Sequence, residues 1–216
     1  MHIDIWSDVV CPWCYLGKRR LERALGEFEH RSDVTIAHRS FQLDPRRPKH
    51  VTMNRRQMLM AKYHLTEDQV AEMDQKMQRT AALDGLTYRL TSEGVTGNTL
   101  DAHRLLRFAR ARGREDVLLD RLYRAYFSEQ RSVFDTESLA ALALDAGLDA
   151  HEARDVLNGN AYADDVDADI KEARLLGVSG VPFFVIDDRY GVSGAQPVDV
   201  FRQVLAHAWA NRVTAS

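Results

Sequence analysis

The chain has 216 residues, enough to bury a hydrophobic core without disulfide or metal crosslinks. Hydrophobic residues make up 45% and charged residues 28% of it, as in an ordinary globular protein. The net charge of -3 argues against a nucleic-acid-binding surface. No apolar run approaches the roughly 18 residues that a membrane-spanning helix needs, so we expect neither nucleic acid nor membrane as a partner.

The first elements in the chain are predicted to be a strand, a helix and a second strand. Residues 3–7 (IDIWS) alternate apolar and polar side chains, which is typical of a strand. Apolar residues then recur at helical spacing from Pro12 to about Glu29, and a proline suits the first turn of a helix. Residues 34–39 (VTIAHR) predict the second strand. The N-terminus lacks a basic segment followed by an apolar run, so we expect a cytoplasmic protein without a secretory signal.

The middle of the chain, from about residue 52 to about residue 177, is predicted to be helical. Thr66 begins a capping-box pattern, Asn98 is the predicted N-cap of a further helix, and Asp135 caps another. Methionines recur in the first part of this block, and packing in the helical core is favoured for them over lining a substrate groove. They are Met58, Met60, Met73 and Met77.

The last quarter returns to strand patterns. Residues 181–186 (VPFFVI) predict a buried strand, residues 189–192 a short partner strand, and the chain after Pro197 a final helix. The order is therefore strand, helix, strand, helical block, hairpin, helix. This order predicts an α/β unit of residues 1–48 and 178–216, interrupted by a helical domain of residues 49–177.

Both cysteines, Cys11 and Cys14, lie where the first strand gives way to the first helix. Unpaired N–H groups and the positive end of the helix dipole favour a thiolate at Cys11. Cys14 lies one turn later, close enough to form a disulfide with Cys11. The spacing predicts that Cys11 forms a mixed disulfide and that Cys14 resolves it. Pro12 restrains the loop and Trp13 covers it.

Two other interpretations of the cysteine pair are less favoured. A structural zinc site needs four protein ligands, and only two thiols are present, with no paired histidine spacing to complete a site. A pair of inert buried thiols does not explain why both cysteines stand at a strand-to-helix junction. We therefore expect redox chemistry and no metal.

Other residues are candidates for supporting roles. Asp8, three residues before Cys11, could accept the proton that Cys14 must lose, or it could be a turn residue that bonds its own backbone. His38 and His103 are alternatives for the proton relay, although a structural role is favoured for each. The bond between Val181 and Pro182 stands just before a predicted buried strand, where a proline is best explained by a turn.

Four segments together resemble the FrnE-like branch of the DsbA family, in the order in which that family has them. They are residues 8–17 (DVVCPWCYLG), 41–45 (FQLDP), 98–104 (NTLDAHR) and 180–185 (GVPFFV). The resemblance spans nearly the whole chain. It implies a thioredoxin fold with a large all-helical domain inserted between the second and third strands, and the activity of a thiol-disulfide oxidoreductase.

The resemblance also implies roles for particular residues. Pro182 would be the cis-proline that faces Cys11 and Cys14, and the backbone of Val181 would pair with a bound peptide. Pro12, Trp13 and Asn98 would contribute to substrate binding. Periplasmic DsbA has histidine where this chain has Trp13, so the resemblance does not imply a strong oxidant.

The same superfamily includes 2-hydroxychromene-2-carboxylate isomerases and kappa-class glutathione transferases, which typically have serine where this chain has Cys11. Cys11 and Cys14 therefore favour an oxidoreductase for protein or peptide disulfides, with no bound cofactor and with glutathione as a candidate redox partner. A glutathione-dependent transferase or isomerase for a small aromatic substrate is the alternative. A chaperone-like binding module is a third hypothesis, and a homodimer through the helical insert is also open.

Overall fold

The structure, a computed structural model, describes residues 1–212. In chain order its elements are β1 (His2–Ser7), α1 (Pro12–Gly26), β2 (Thr35–Ser40), β3 (Met53–Asn54), α2 (Arg55–Tyr63), α3 (Glu67–Leu83), β4 (Val95–Thr96), α4 (Leu100–Arg110), α5 (Glu115–Phe127), α6 (Thr136–Asp145), α7 (Ala150–Asn158), α8 (Ala163–Leu175), β5 (Phe183–Ile186), β6 (Tyr190–Ser193) and α9 (Val198–Ala210). The predicted α/β unit extended to residue 216, and its last four residues lie outside the described part.

The main sheet has four strands in the order β2-β1-β5-β6. Strand β1 pairs in parallel with β2 and antiparallel with β5, and β5 pairs antiparallel with β6. The parallel pair is joined by α1, as parallel strands require a crossover. With α9 at the end of the chain, this topology confirms the predicted thioredoxin fold.

The insertion between β2 and β5 is confirmed as mainly helical, but a short ribbon accompanies its helices. Strands β3 and β4 pair antiparallel over two residues each. Two residues give no readable alternation, which is why the sequence pattern predicted helices alone. The predicted capping box at Thr66 and the cap at Asp135 are both present, with Asp135 accepting a 2.8 Å hydrogen bond from the Ser138 N–H.

Alternation along β1 divides the core between the two faces of the sheet. Ile3 and Ile5 pack with Phe184 and Phe201 in the core against α1 and α9. Trp6 points to the opposite face and packs near α8. The Trp6 Nε1 atom donates a 3.0 Å hydrogen bond to the Asp169 carbonyl of α8. The helical insert is therefore held against the sheet on the face opposite α1.

A buried lysine joins α1 to α5 of the insert. The Lys18 Nζ atom lies 3.0 Å from Asp116 and 2.9 Å from Asp120, and it also pairs with Glu22. Burial alone would lower the pKa of Lys18, but the Asp120, Glu22 and Asp116 carboxylates outweigh it and raise the pKa. Oxygens of these acids lie within 4.8 Å of one another, as metal ligands would. Lys18 already pairs with all three of these acids, so the cluster carries no argument for a metal.

Among residues 1–212, none of the helices combines the length and the apolar character that crossing a membrane requires.

Candidate active site

The cysteine pair lies at the N-terminus of α1, as predicted. Cys11 is the N-cap residue and Pro12 occupies the first turn, where the missing N–H costs no hydrogen bond. The Cys14 and Tyr15 N–H groups donate to the Cys11 carbonyl at 3.0 and 3.5 Å. The Cys11 side chain thus stands beside the positive end of the helix dipole.

Cys14 lies deeper than Cys11, on the inner side of the helix. Both thiols are free, and Cys14 is 2% exposed. Burial raises the pKa of the Cys14 thiol, the hydrogen bond with Cys11 raises it further, and a hydrogen bond from the Asp8 backbone lowers it in part. A shielded thiol that stays protonated suits the predicted resolving role, because it reacts only after a mixed disulfide has formed nearby.

The segment before β5 faces the cysteines. The bond between Val181 and Pro182 is cis, and the Cys11 sulfur lies 3.5 Å from the Val181 carbonyl oxygen. Strand β5 begins at Phe183, two residues later than the pattern indicated. A Cβ atom on Gly17 would lie 2.9 Å from Pro182 Cγ and 3.2 Å from Phe184 Cζ. The absence of a side chain at Gly17 therefore lets α1 approach Pro182.

A groove of about 650 Å³ opens beside Cys11. Pro12, Trp13 and Val181 line it, and Trp13 is 46% exposed. Their role in substrate binding stays a prediction. Helices α2 and α3 form the far wall of the groove. These helices and the turn between them contribute apolar side chains to the lining, namely Met58, Leu59, Tyr63, Leu65, Met73 and Met77. The interpretation of the methionines as core residues is wrong for Met58 and Met73, because α2 and α3 border open space here.

Positive charge prevails among the unpaired side chains of the groove. Arg55 is held by a bidentate ion pair with Asp74, and Arg47 pairs with Asp44 at 2.6 Å. Two further cations in the lining, on α2 and α3, have no carboxylate partner among residues 1–212. They are Lys62 and Lys76. The groove thus combines an apolar wall with two available ammonium groups.

Asp8 is 1% exposed and stands between β1 and the cysteine pair. Its side chain does not bond its own turn. One carboxylate oxygen accepts a 2.8 Å hydrogen bond from the Leu43 N–H, and the other lies 3.3 Å from His103 Nε2 on α4. His38 lies elsewhere and pairs with Asp116 at 3.2 Å. The structure therefore brings Asp8 and His103 together beside the cysteines, but not His38.

Asn98 does not line the groove. Its side chain accepts hydrogen bonds from the Leu100 N–H at 2.8 Å and from the Gln42 amide at 3.1 Å, and it donates to the Arg47 carbonyl at 2.5 Å. Helix α4 begins at Leu100 with Thr99 as its N-cap, one residue later than predicted. These contacts make Asn98 a link between α4 and the chain after β2, outside the lining of the groove.

Two tyrosines near the cysteines were not identified from the sequence. The Tyr88 hydroxyl donates a 2.7 Å hydrogen bond to the Pro12 carbonyl, so the insert holds the first turn of α1 between the cysteines. Tyr123 on α5 stacks on Tyr15, with ring centroids 4.9 Å apart. In the sequence both are simply apolar positions of the helical block, and no local pattern distinguishes them from core residues.

Comparison with known proteins supports the family assignment. The model of the DSBA-like thioredoxin domain family matches residues 2–206. The chain therefore belongs to the DSBA-like thioredoxin domain family, whose members are thiol-disulfide oxidoreductases and related isomerase-like proteins. The narrower resemblance to the FrnE-like branch stays a prediction.

Solved structures show the same fold. A probable DsbA oxidoreductase from Streptomyces coelicolor is 50% identical, with a TM-score of 0.96 over 100% of this chain and 93% of its own. A 2-hydroxychromene-2-carboxylate isomerase is 18% identical, with a TM-score of 0.70 over 97% and 96%. The cytosolic disulfide reductase DsbM from Pseudomonas aeruginosa, solved with GSH, is 18% identical, with a TM-score of 0.66 over 97% and 100%. At 18% identity, these last two likenesses show the fold alone.

Substituting Gly17 tests the close approach of α1 to Pro182. We expect Gly17→Ala to destabilise the fold by about 1–3 kcal/mol, the usual cost of overpacking, and to slow disulfide exchange. Gly26→Ala, at the end of the same helix and with nothing within 4 Å of its Cβ, is the matched control. Chemical denaturation and an insulin-reduction assay measure both. Wild-type stability and rate in Gly17→Ala would contradict the account.

Proposed function

We propose that this protein exchanges its Cys11–Cys14 dithiol with disulfides of protein or peptide clients. The observation that carries the proposal is the position of Cys11, which stands at the N-terminus of α1, 3.5 Å from the Val181 carbonyl, at the edge of the groove. The backbone at Val181 beside Cys11 suits an extended client chain, and the apolar wall suits its side chains.

The exchange moves two electrons from the dithiol to the client. The Cys11 thiolate attacks one sulfur of the client disulfide, a bond forms between them, and the other client sulfur leaves as a thiolate. Cys14 then loses its proton and attacks the Cys11 sulfur. The bond from Cys11 to the client breaks, the second client sulfur leaves, and the Cys11–Cys14 disulfide remains. The reverse sequence oxidises a client dithiol.

Glutathione is the low-molecular-weight thiol that we propose for resetting the pair. Two molecules would reduce the Cys11–Cys14 disulfide and leave as one oxidised molecule. The available ammonium groups of Lys62 and Lys76 suit a peptide with two carboxylates, although they also suit an acidic client. The likeness in fold to DsbM, solved with GSH, is consistent with this partner. A cytoplasmic location, where glutathione is the main thiol, belongs to the same proposal.

The alternative remains a glutathione-dependent transferase or isomerase. The fold of the 2-hydroxychromene-2-carboxylate isomerase supports it, since the two proteins share their architecture. Against it stands Cys14, which lies directly behind Cys11 and could attack any mixed disulfide formed there. A transferase site has no use for a second thiol in that position.

Substitution of each cysteine tests the proposed exchange. Cys11→Ser removes the attacking thiol, so we expect insulin reduction to fall to the background rate. Cys14→Ser leaves the mixed disulfide unresolved, so we expect a covalent client adduct on a non-reducing gel. The double variant should form no adduct and serves as the control. Full activity in Cys11→Ser would exclude the proposal.

We propose that Asp8 accepts the proton of Cys14 and that His103 orients its carboxylate. Asp8→Asn keeps an oxygen to accept from Leu43 but cannot take a proton, so we expect the resolving step to slow by at least about tenfold. Rapid-mixing measurement of that step across pH provides the test. Asp188→Asn, in the exposed turn after β5, is the control. An unchanged rate in Asp8→Asn would make Asp8 a structural residue only.

A further inference from the structure

Tyr88 joins the helical insert to the turn between the two cysteines. It is 5% exposed, and its hydroxyl donates a 2.7 Å hydrogen bond to the Pro12 carbonyl. The centroid of its ring lies 4.9 Å from that of Phe127 on α5 and 5.9 Å from that of Tyr15 on α1. Burial raises the pKa of Tyr88, so the hydroxyl stays protonated and remains a donor at any pH at which thiols exchange.

The backbone on both sides of Tyr88 is fastened to the end of α5. The Arg89 N–H donates a 2.7 Å hydrogen bond to the Phe127 carbonyl. The Thr87 carbonyl accepts a 2.6 Å hydrogen bond from the Ser128 hydroxyl. The Tyr88 hydroxyl therefore reaches the cysteine turn from a backbone that the insert holds in place.

The first turn of α1 has few hydrogen bonds of its own to hold it. The first N–H groups of a helix have no partner within the helix, and Pro12 has no N–H at all. The Pro12 carbonyl is the regular acceptor for the Leu16 N–H, but a carbonyl oxygen has two lone pairs and can also accept from Tyr88. The bond from Tyr88 thus adds a restraint to the backbone that separates Cys11 from Cys14.

We propose that Tyr88 is a positioning residue for the resolving step, in which it holds the turn in the conformation that lets the Cys14 sulfur reach the Cys11 sulfur. This inference rests on the proposed dithiol exchange and adds a residue of the insert to it. Two groups react faster when the chain that joins them is already held in the reactive geometry, since less conformational freedom is lost.

Tyr88 gains and loses no proton in this step. The Cys14 proton passes to the Asp8 carboxylate, the Cys14 sulfur attacks Cys11, and the client sulfur leaves as a thiolate. The Tyr88 O–H stays on the Pro12 carbonyl throughout. The earlier attack of Cys11 on the client closes no ring through the turn. The two steps should therefore respond differently to the loss of the Tyr88 hydroxyl.

The test separates the two steps by rapid mixing with an aromatic disulfide, 5,5′-dithiobis(2-nitrobenzoate). Reduced protein releases one coloured thiolate when Cys11 attacks, at a rate that rises with reagent concentration. It releases a second when Cys14 resolves, and Cys14→Ser should abolish that release. We expect Tyr88→Phe to slow the second release by about fivefold, the size of one hydrogen bond between neutral groups, and to leave the first within about twofold.

Tyr126→Phe is the matched control. The Tyr126 hydroxyl also donates to a backbone carbonyl, that of Val95 on β4, at 2.8 Å. Phenylalanine keeps the ring in both variants, so each loses one hydrogen bond of the same kind, and we expect similar losses of stability in chemical denaturation. Both releases of Tyr126→Phe should match the wild type. A merely structural Tyr88 would make the two variants alike in their kinetics.

The equilibrium between dithiol and disulfide gives a second readout. A fivefold smaller constant for closing the Cys11–Cys14 disulfide corresponds to a reduction potential about 20 mV less negative for this two-electron couple. We expect that shift for Tyr88→Phe in graded glutathione buffers, and the wild-type potential for Tyr126→Phe.

The outcomes separate the two proposals. If Tyr88→Phe shows the wild-type second release and the wild-type potential, or slows both releases equally, the role of Tyr88 is overturned while the exchange stands. If the wild-type protein itself gives no second release, the proposed exchange fails and the role of Tyr88 fails with it.

Discussion

The approach of helix α1 to the Val181–Pro182 segment is the contact on which the site depends. Gly17 permits it, because any larger residue would place a Cβ atom 2.9 Å from Pro182 Cγ. The contact brings the Cys11 sulfur within 3.5 Å of the Val181 carbonyl. It thereby places the Cys11 thiol, at the N-terminus of α1, beside the backbone where we propose that a client binds.

The helical insert completes the site from three directions. Tyr88 holds the first turn of α1 between the cysteines, His103 holds Asp8, and α2 and α3 form the outer wall of the groove. The buried Lys18 fixes α1 to α5 through ion pairs with Asp116 and Asp120. The insert is therefore part of the active centre as well as a cover for it.

The fold and the cysteine site can be predicted from the sequence because both depend on patterns of neighbouring residues. Alternation defined β1, helical spacing defined α1, and the position of Cys11 and Cys14 at their junction defined the chemistry. The features of the site that the sequence does not predict depend on packing between segments that are far apart in the chain. The resemblance predicts Asn98 as a substrate contact, but Asn98 ties α4 to the chain after β2. Nothing local to Tyr88 shows that its hydroxyl bonds the Pro12 carbonyl.

The roles of the Asp8 carboxylate and of the methionine side chains also depend on contacts between distant segments. The sequence is compatible with Asp8 as a turn residue or as a proton relay. Only its contacts with Leu43 and His103 show that its carboxylate bonds groups outside its own turn. Met58 and Met73 were favoured as core residues because helical spacing cannot distinguish a core from the wall of a groove.

The measurement that tests the central claim most directly is a redox titration in graded glutathione buffers, with alkylation of free thiols and mass analysis. We expect one two-electron transition between the dithiol and the Cys11–Cys14 disulfide, at a potential more negative than the roughly −120 mV of DsbA, since Trp13 supplies no charge to stabilise the thiolate. A stable glutathione adduct on Cys11, or no intramolecular disulfide, would contradict the account and favour the transferase.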